Sequence, residues 1–380
     1  MTKIFYVDPQ SYSNLAVYDY SLISNIKDFQ IVFYANVKYD YRELQDTVVR
    51  KIFCYGQLSH PLSKALSYTK SILRLYKDAR KERPDIIHIQ WIRLWALDYI
   101  LVFLLQHLGI KVIHTAHNLL PHVHHTGDRT KYRLYYRAVN GIIVHSERTR
   151  NEMGHMAGCE DKTWVIHHGM LPSHSNPDDC ARRMEQLKRQ KGIDSNTMVF
   201  ACMGIQSTYK GTDTVLKVWS TSSILQKSNS MLLIVGKNEN IDYSPVRNMP
   251  NVHIVNGKVP EPDFNAYMQM ASVILLPYTA ISQSGVLFSA LQAGIPVLVS
   301  DVGGLAEPLR IAPVGWNIGE PTAEHLREAM ERLAQDKGLA DQVRNDTEAF
   351  GKVRQAYDWK NIGLRTTDMY RKLSDTKRDS

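Results

Sequence analysis

Two doubly wound α/β domains are expected from this chain, and three observations carry the expectation. Short β-rich runs alternate with helix-length segments along its whole length, as parallel sheets with crossover helices require. Several of those runs are apolar almost end to end, the mark of strands covered on both faces. The length, 380 residues, suits two domains that each bury a core.

In the first half KIFYVD, QIVFYA, DIIHIQW, KVIHTAH, GIIVHS and TWVIHHG read as strands. Between them, residues 62–81, 97–108 and 130–139 read as helices, the first rich in Leu, Lys and Arg at helical spacing. A composition break follows at 171–179, LPSHSNPDD, with two prolines and several turn formers, ahead of the charged, helix-prone stretch 180–191. The strand pattern then restarts with MVFACMG, MLLIVG, VHIVNG, SVILLPY and PVLVSD. Residues 323–373 are amphipathic and helical. The expected division is residues 1–172, residues 173–350, and a C-terminal helical segment 351–380 that packs back on the first domain. Two such domains would face a cleft, and folds of this kind bind ligands outside the carboxyl ends of their strands.

With 44% hydrophobic and 22% charged residues, the composition excludes a disordered, collagen-like or coiled-coil protein. The longest apolar stretch, 99–105, is far short of the ~20 residues of a membrane span. No signal-peptide pattern precedes the first strand. Four cysteines, Cys54, Cys159, Cys180 and Cys202, are too scattered for a disulfide framework or a zinc site. A soluble, cytoplasmic protein is expected.

Charge is unevenly spread. Residues 49–150 carry 17 Lys and Arg against 6 Asp and Glu, whereas residues 171–380 carry 24 against 23. Such a basic region attracts phosphates, nucleic acid or anionic lipid. No helix-turn-helix or base-stacking pattern accompanies it, so nucleic acid is not the expected partner. Lys64, Lys70, Arg74, Lys77, Arg80, Lys81 and Arg83 share one stretch with Leu62, Leu66, Tyr68, Leu73, Leu75 and Tyr76. A basic helix with an apolar face can sit on an anionic membrane, here as peripheral attachment to its inner face. A helix solvated on one side and buried on the other is the plainer alternative.

Two runs carry the candidate chemistry. In SQSGVLFSALQAGIPVLVSDVGGLAE, residues 282–307, Gln283, Ser284, Gly285 and Val286 come after a strand and open a helix. A helix start exposes unpaired N–H groups, and glycine lets a phosphate approach them. In FACMGIQSTYKGTD, residues 200–213, Gly204 ends a strand, and Lys210, next to Tyr209, opens the following helix with an ammonium suited to an anionic leaving group. HTAHNLLPHVHH, residues 114–125, packs five histidines, but no pair has the spacing of a metal-binding helix and no metal is expected. Asp128, shortly after, is a candidate general base.

The landmarks Gly204…Lys210-Gly211, Pro277-Tyr278, Ala290…Gly294-Ile295-Pro296-Val297 and Ser300-Asp301…Gly303-Gly304…Glu307 occur in the order of a known pattern. With Thr115-Ala116-His117-Asn118, Val144-His145-Ser146 and Val165-Ile166-His167-His168-Gly169, they resemble the GT-B glycosyltransferases, especially family four. That resemblance implies two Rossmann-like domains facing a cleft, and transfer of a hexose-type sugar from a UDP- or GDP-linked donor to a saccharide acceptor. The basic helix with its apolar face suggests further that the acceptor saccharide is carried on a polyprenyl diphosphate lipid, in polysaccharide or glycolipid biosynthesis. The resemblance implies no cofactor and no metal. By the same resemblance His117 would contact the donor sugar near the reacting carbon. Lys210 and the backbone of Ser284–Val286 would hold the diphosphate, Gly257 and Val259 the base, and Glu307 is a further donor-site candidate. The family's two helix glutamates fall on Ile281 and Ser289, and its usual Arg on Ile205. The remaining pattern resembles a variant branch of capsule and exopolysaccharide transferases. These departures leave open whether the sugar's configuration is retained or inverted. A sugar-nucleotide epimerase of the same fold and a non-catalytic nucleotide-sugar-binding subunit are the alternatives.

Overall fold

The computed structural model describes residues 2–54, 57–121, 126–170, 176–281 and 284–375. It divides into two compact units, Met1–Gly169 with Tyr357–Ser380, and Met170–Ala356.

The first unit holds β1 (Lys3–Asp8), β2 (Gln30–Asn36), β3 (Val48–Phe53), β4 (Ile86–Ile89), β5 (Lys111–Thr115), β6 (Gly141–Val144) and β7 (Thr163–Val165). All pairings are parallel, in the order β3-β2-β1-β4-β5-β6-β7. Successive side chains of a strand point to opposite faces. Phe5, Val7, Val32, Tyr34, Ile87 and Ile89 therefore enter one core, and Ile4, Tyr6, Ile31, Phe33 and Ile86 the other. Helices Pro61–Glu82, Trp95–His107, Asp128–Ala138 and Glu147–Ala157 contribute buried side chains to the first core.

The second core is shared by helix Asn14–Ile23 and the C-terminal helix Trp359–Asp375, whose Trp359, Ile362, Met369 and Tyr370 all enter it. That helix approaches very closely. A Cβ on Gly363 would collide with the backbone oxygen of Asn25, and one on Gly169 with the Trp359 ring. The chain leaves the first core where Gly169 passes Trp359, slightly ahead of the proline-rich break at 171–179. Helix Thr347–Ala356 still buries Phe350 and Val353 in the second unit, so that unit ends at Ala356 rather than at residue 350.

The second unit holds β8 (Met198–Met203), β9 (Ser230–Gly236), β10 (Val252–Asn256), β11 (Val273–Leu276), β12 (Val297–Val299) and β13 (Gly315–Asn317). These too are parallel throughout, ordered β10-β9-β8-β11-β12-β13. Its first helix is Pro177–Lys191. Pro177 stands where a missing N–H costs nothing, the Asn176 side chain accepts from Asp178 N at 2.9 Å, and left-handed Gly192 closes the other end. Strand order reverses direction between β1 and β4 in one unit and between β8 and β11 in the other. These reversals are where such sheets open a crevice at their carboxyl edge. Among the described residues no helix is long and apolar enough to cross a membrane.

Candidate active site

In the second unit the two glycine-bearing runs meet at the β8/β11 reversal. Gly204 follows β8 with φ +85°, and a Cβ built on it would lie 3.2 Å from Val286 Cγ2 and 3.6 Å from Lys210 Nζ. The ammonium of Lys210 lies 5.6 Å from the Tyr278 ring centre, a cation–π distance, just past the end of β11. Thr279 N donates to Tyr209 O at 2.8 Å, fastening the lysine turn to that strand end. Burial draws the Lys210 pKa down, and Glu239 pushes it partly back.

Helix Gly285–Gln292 starts beside this ammonium. Ser284 caps it, its Oγ accepting from Leu287 N at 3.3 Å. A Cβ on Gly285 would meet nothing within 4 Å among the described residues. Ser207, on the lysine turn, has a buried Oγ with no hydrogen-bond partner among the described residues. A positive side chain, a helix start and an unpaired hydroxyl together make a donor set for an anion. Gln283 lies outside the described residues.

Gly204, Gly236 and Gly257 end the neighbouring strands β8, β9 and β10, each with positive φ. Gly257 N donates to Gly236 O at 3.2 Å, and a Cβ on Gly236 would collide with the Gly204 backbone oxygen. The carboxyl edge is thus a shelf of bare backbone, with half-buried Val259 following Gly257. Buried Glu307 opens the short helix Glu307–Ile311 past β12, on the same edge of the sheet.

The first unit carries a cavity of about 330 Å³ at its own reversal, lined by Gln10, Gln90, Trp91, Thr115, His117 and Tyr132 among others. His117 stacks on Trp91 with ring centres 4.6 Å apart and planes 11° apart. Its Nε2 lies 3.0 Å from Gln90 Oε1, and its Nδ1 3.1 Å from His145 Nε2. Burial and the neighbouring His145 hold the His117 pKa well below its ordinary value. The buried Trp91 Nε1–H has no partner among the described residues. Asp128 does not line this cavity. It stands in the first turn of helix Asp128–Ala138, where a negative charge favours the helix start, and lies 3.4 Å from Lys131 Nζ. His114 is buried against Ile89 O, whereas His122, His124 and His125 lie outside the described residues.

Comparison with known proteins now bears on this arrangement. The family model for Glycosyltransferase Family 4 matches residues 31–173, and that for Glycosyl transferases group 1 matches residues 183–350. The chain belongs to the GT-B glycosyltransferases of the family-four type. An uncharacterized glycosyltransferase of Methanocaldococcus jannaschii is 24% identical over 220 residues, covering 56% of this chain and 54% of that protein. The D-inositol 3-phosphate glycosyltransferase of Corynebacterium aurimucosum is 25% identical over 274 residues, covering 66% and 64%. The chain therefore spans between about half and two thirds of the length of these curated relatives. An Anabaena protein solved in complex with UDP shares the fold, with a TM-score of 0.71 at 14% identity over 98% of this chain and 100% of that one.

In this family-four chain the two positions of the missing glutamates are the half-buried Ile281 and the exposed Ser289. Sequence reasoning passed over Gly236, Ser207, Gln90 and Trp91. The first closes MLLIVG and the last two close DIIHIQW, so a rule of inspecting every strand's carboxyl end would have found them.

Proposed function

We propose that the chain transfers a hexose-type sugar from a nucleoside-diphosphate donor to a saccharide acceptor. The observation that carries this is the convergence of Lys210, Gly204 and the start of helix Gly285–Gln292 at the β8/β11 reversal. The charge that grows as a sugar–phosphate bond breaks lies on the diphosphate, and fixed donors aimed at that charge lower the barrier. Half-burial of Lys210 strengthens its field there. Gly257 and Val259 offer backbone groups to the base, and Glu307 a carboxylate to donor hydroxyls. The UDP found with the Anabaena protein supports a uridine donor. A lysine and main-chain amides, rather than a carboxylate cluster, are suited to holding the diphosphate without a divalent cation, so transfer is expected to persist in EDTA.

Calorimetry with UDP, GDP and their sugar conjugates tests the reading. Micromolar uptake of one of them is expected, and it should be weakened in Lys210→Ala. No uptake of any would overturn the proposal, and conversion of the donor sugar without acceptor would replace it with an epimerase.

Acceptor recognition is assigned to the first unit, as part of polysaccharide or glycolipid assembly of the capsule or exopolysaccharide kind, with a polyprenyl diphosphate lipid as carrier. On helix Pro61–Glu82, Tyr68, Ile72, Leu75 and Ala79 are buried, while Leu62, Leu66 and Leu73 are 69%, 64% and 58% exposed. At 100° per residue those three leucines form one narrow outward stripe, bordered by the exposed Lys70, Arg74, Lys77 and Lys81. An apolar stripe edged with cations supports peripheral docking on an anionic bilayer. Flotation with acidic liposomes should carry the protein at low salt, and Leu62→Ser with Leu66→Ser should release it. A protein that stays at the bottom even at low salt would leave only a solvated helix.

A further inference from the structure

A line of hydrogen bonds runs through the first unit, from the C-terminal helix to His117. Tyr370 Oη lies 2.6 Å from His88 Nδ1, and His88 Nε2 lies 2.7 Å from Thr115 Oγ1. The Gln90 amide bridges His88 Nε2 and His117 Nε2, 3.0 Å from each. His117 Nδ1 lies 3.1 Å from His145 Nε2, and His145 Nδ1 2.8 Å from the Ile166 carbonyl. Tyr370, His88, Gln90 and His145 are all buried.

One end of the line fixes the direction of every bond in it. A carbonyl oxygen can only accept, so His145 carries its proton on Nδ1. Burial holds His145 neutral, its pKa pushed down to about 3, so its Nε2 is an acceptor. His117 Nδ1 must then donate to it. Burial keeps His117 neutral as well, which leaves a lone pair on its Nε2. Only the NH2 end of Gln90 satisfies that lone pair. The amide's two ends differ only by a half-turn, and the hydrogen-bond logic selects NH2 toward His117 and C=O toward His88. His88 Nε2–H then donates to Gln90 Oε1 and Thr115 Oγ1, and His88 Nδ1 accepts from the Tyr370 hydroxyl. Along the line from Tyr370 to Ile166, every contact then pairs a donor with an acceptor.

We propose that Gln90 is a positioning residue that holds His117 as the neutral Nδ1–H tautomer, in a line anchored at the Ile166 carbonyl and terminated by Tyr370 of the C-terminal helix. The assignment builds on the reading of His117 as a donor-sugar contact. It gives the imidazole one fixed orientation and no charge where the sugar would lie. The groups that face His117 agree with this. His88, His114 and His168 are each held neutral by burial, and Trp91 and Tyr18 are uncharged rings. Asp19 accepts from the Tyr6 hydroxyl at 2.8 Å, and burial raises the pKa of both Asp19 and Asp8.

Long-range ¹H–¹⁵N correlation of histidine-labelled full-length protein tests this without substrate. His117 should show the Nδ1–H tautomer and no titration from pH 8 to 5. In Gln90→Glu the new carboxylate can only accept, so His117 should carry protons on both nitrogens at pH 7. The same variant should lower kcat at least tenfold with little change in donor KM. An Nε2–H tautomer in the wild type, a His117 that titrates between pH 5 and 8, or unchanged ¹⁵N shifts in Gln90→Glu would each overturn it. The wild-type spectrum decides the question even where the variant fails to fold. A correct tautomer in a protein that binds no nucleotide sugar would sink the proposed function and leave the hydrogen-bond assignment standing.

Discussion

Lys210 Nζ stands 5.6 Å from the centre of the Tyr278 ring, joining the turn after β8 to the end of β11 across the point where strand order reverses. The ring face holds a cation in place without neutralising it, as a carboxylate partner would. A charge kept available beside a helix start is suited to a ligand with two or more negative charges. Replacing Lys210 with alanine should therefore lower kcat by about two orders of magnitude or more, the usual cost of losing one preorganised donor to developing charge. The folding midpoint should barely change, because the side chain is only half-buried. Turnover within threefold of wild type would remove Lys210 from the chemistry.

The glycine shelf makes a second, purely steric prediction. Gly236 has φ +133°, and any Cβ there would run into the Gly204 backbone oxygen. Gly236→Ala must push apart the ends of β8 and β9, adjacent central strands of the sheet. A loss of roughly 2–4 kcal/mol is expected from such a clash at a strained backbone position. Gly257→Ala, with positive φ but open space around its Cβ, should cost less. Urea unfolding of the two variants provides the comparison, and equal midpoints would show that the shelf yields easily.

The contrast with what could be read from the chain follows from how each signal arises. Central strands such as KIFYVD and MLLIVG are buried on both faces, so their apolar runs betray them. The edge strand β3, VVRKIF, mixes Arg50 and Lys51 with apolar residues because solvent meets part of it, and it leaves no such run. β13 is only Gly315–Asn317, too short to show any period. The meeting of Gly204, Lys210 and the start of helix Gly285–Gln292 could be anticipated because glycine and lysine at strand ends are local signals. The His117 line was not, because Tyr370 and His88 are 282 positions apart and only the fold joins them.

The C-terminal helix is structural for the first unit although it follows the second unit in sequence. Trp359, Ile362, Met369 and Tyr370 are each less than a tenth exposed and share a core with Tyr18 and Phe33. Ending the chain at Ala356 would expose that core, and the loss of several large side chains exceeds the stability of an ordinary domain. The truncated protein should be insoluble or bind a hydrophobic dye strongly. Recovery of a soluble, cooperatively unfolding protein without these residues would show that the helix is dispensable.

Acid should unfold the protein from the histidine side. In the folded chain burial pushes the pKa of His88 and His145 down to about 3, and of His114 and His168 to about 4. Their unfolded values are about 6.5, so below that pH the unfolded chain binds protons that the folded chain refuses. Stability contributed by these groups is full above about pH 6.5 and falls as pH drops toward 4 and 3. Three buried carboxyls work the other way. Burial raises Asp8 to about 7, Asp98 to about 6 and Asp19 well above its ordinary range, so the folded chain keeps protons that the unfolded chain has released. The Asp8 contribution is largest at low pH and disappears as pH rises from about 4 to 7. With His117, whose pKa burial also holds far down, five histidines stand against three carboxyls and leave an excess of about two protons on the unfolded chain near pH 5. At about 1.4 kcal/mol per proton per pH unit, that is a slope of about 3 kcal/mol per pH unit. Urea midpoints taken at pH 7.5, 6.5, 5.5 and 4.5 should hold between the first two and then fall steeply. A midpoint that stays level or rises toward pH 4.5 would mean that these histidines are protonated in the folded state, and the neutral hydrogen-bond line through His117 could not stand.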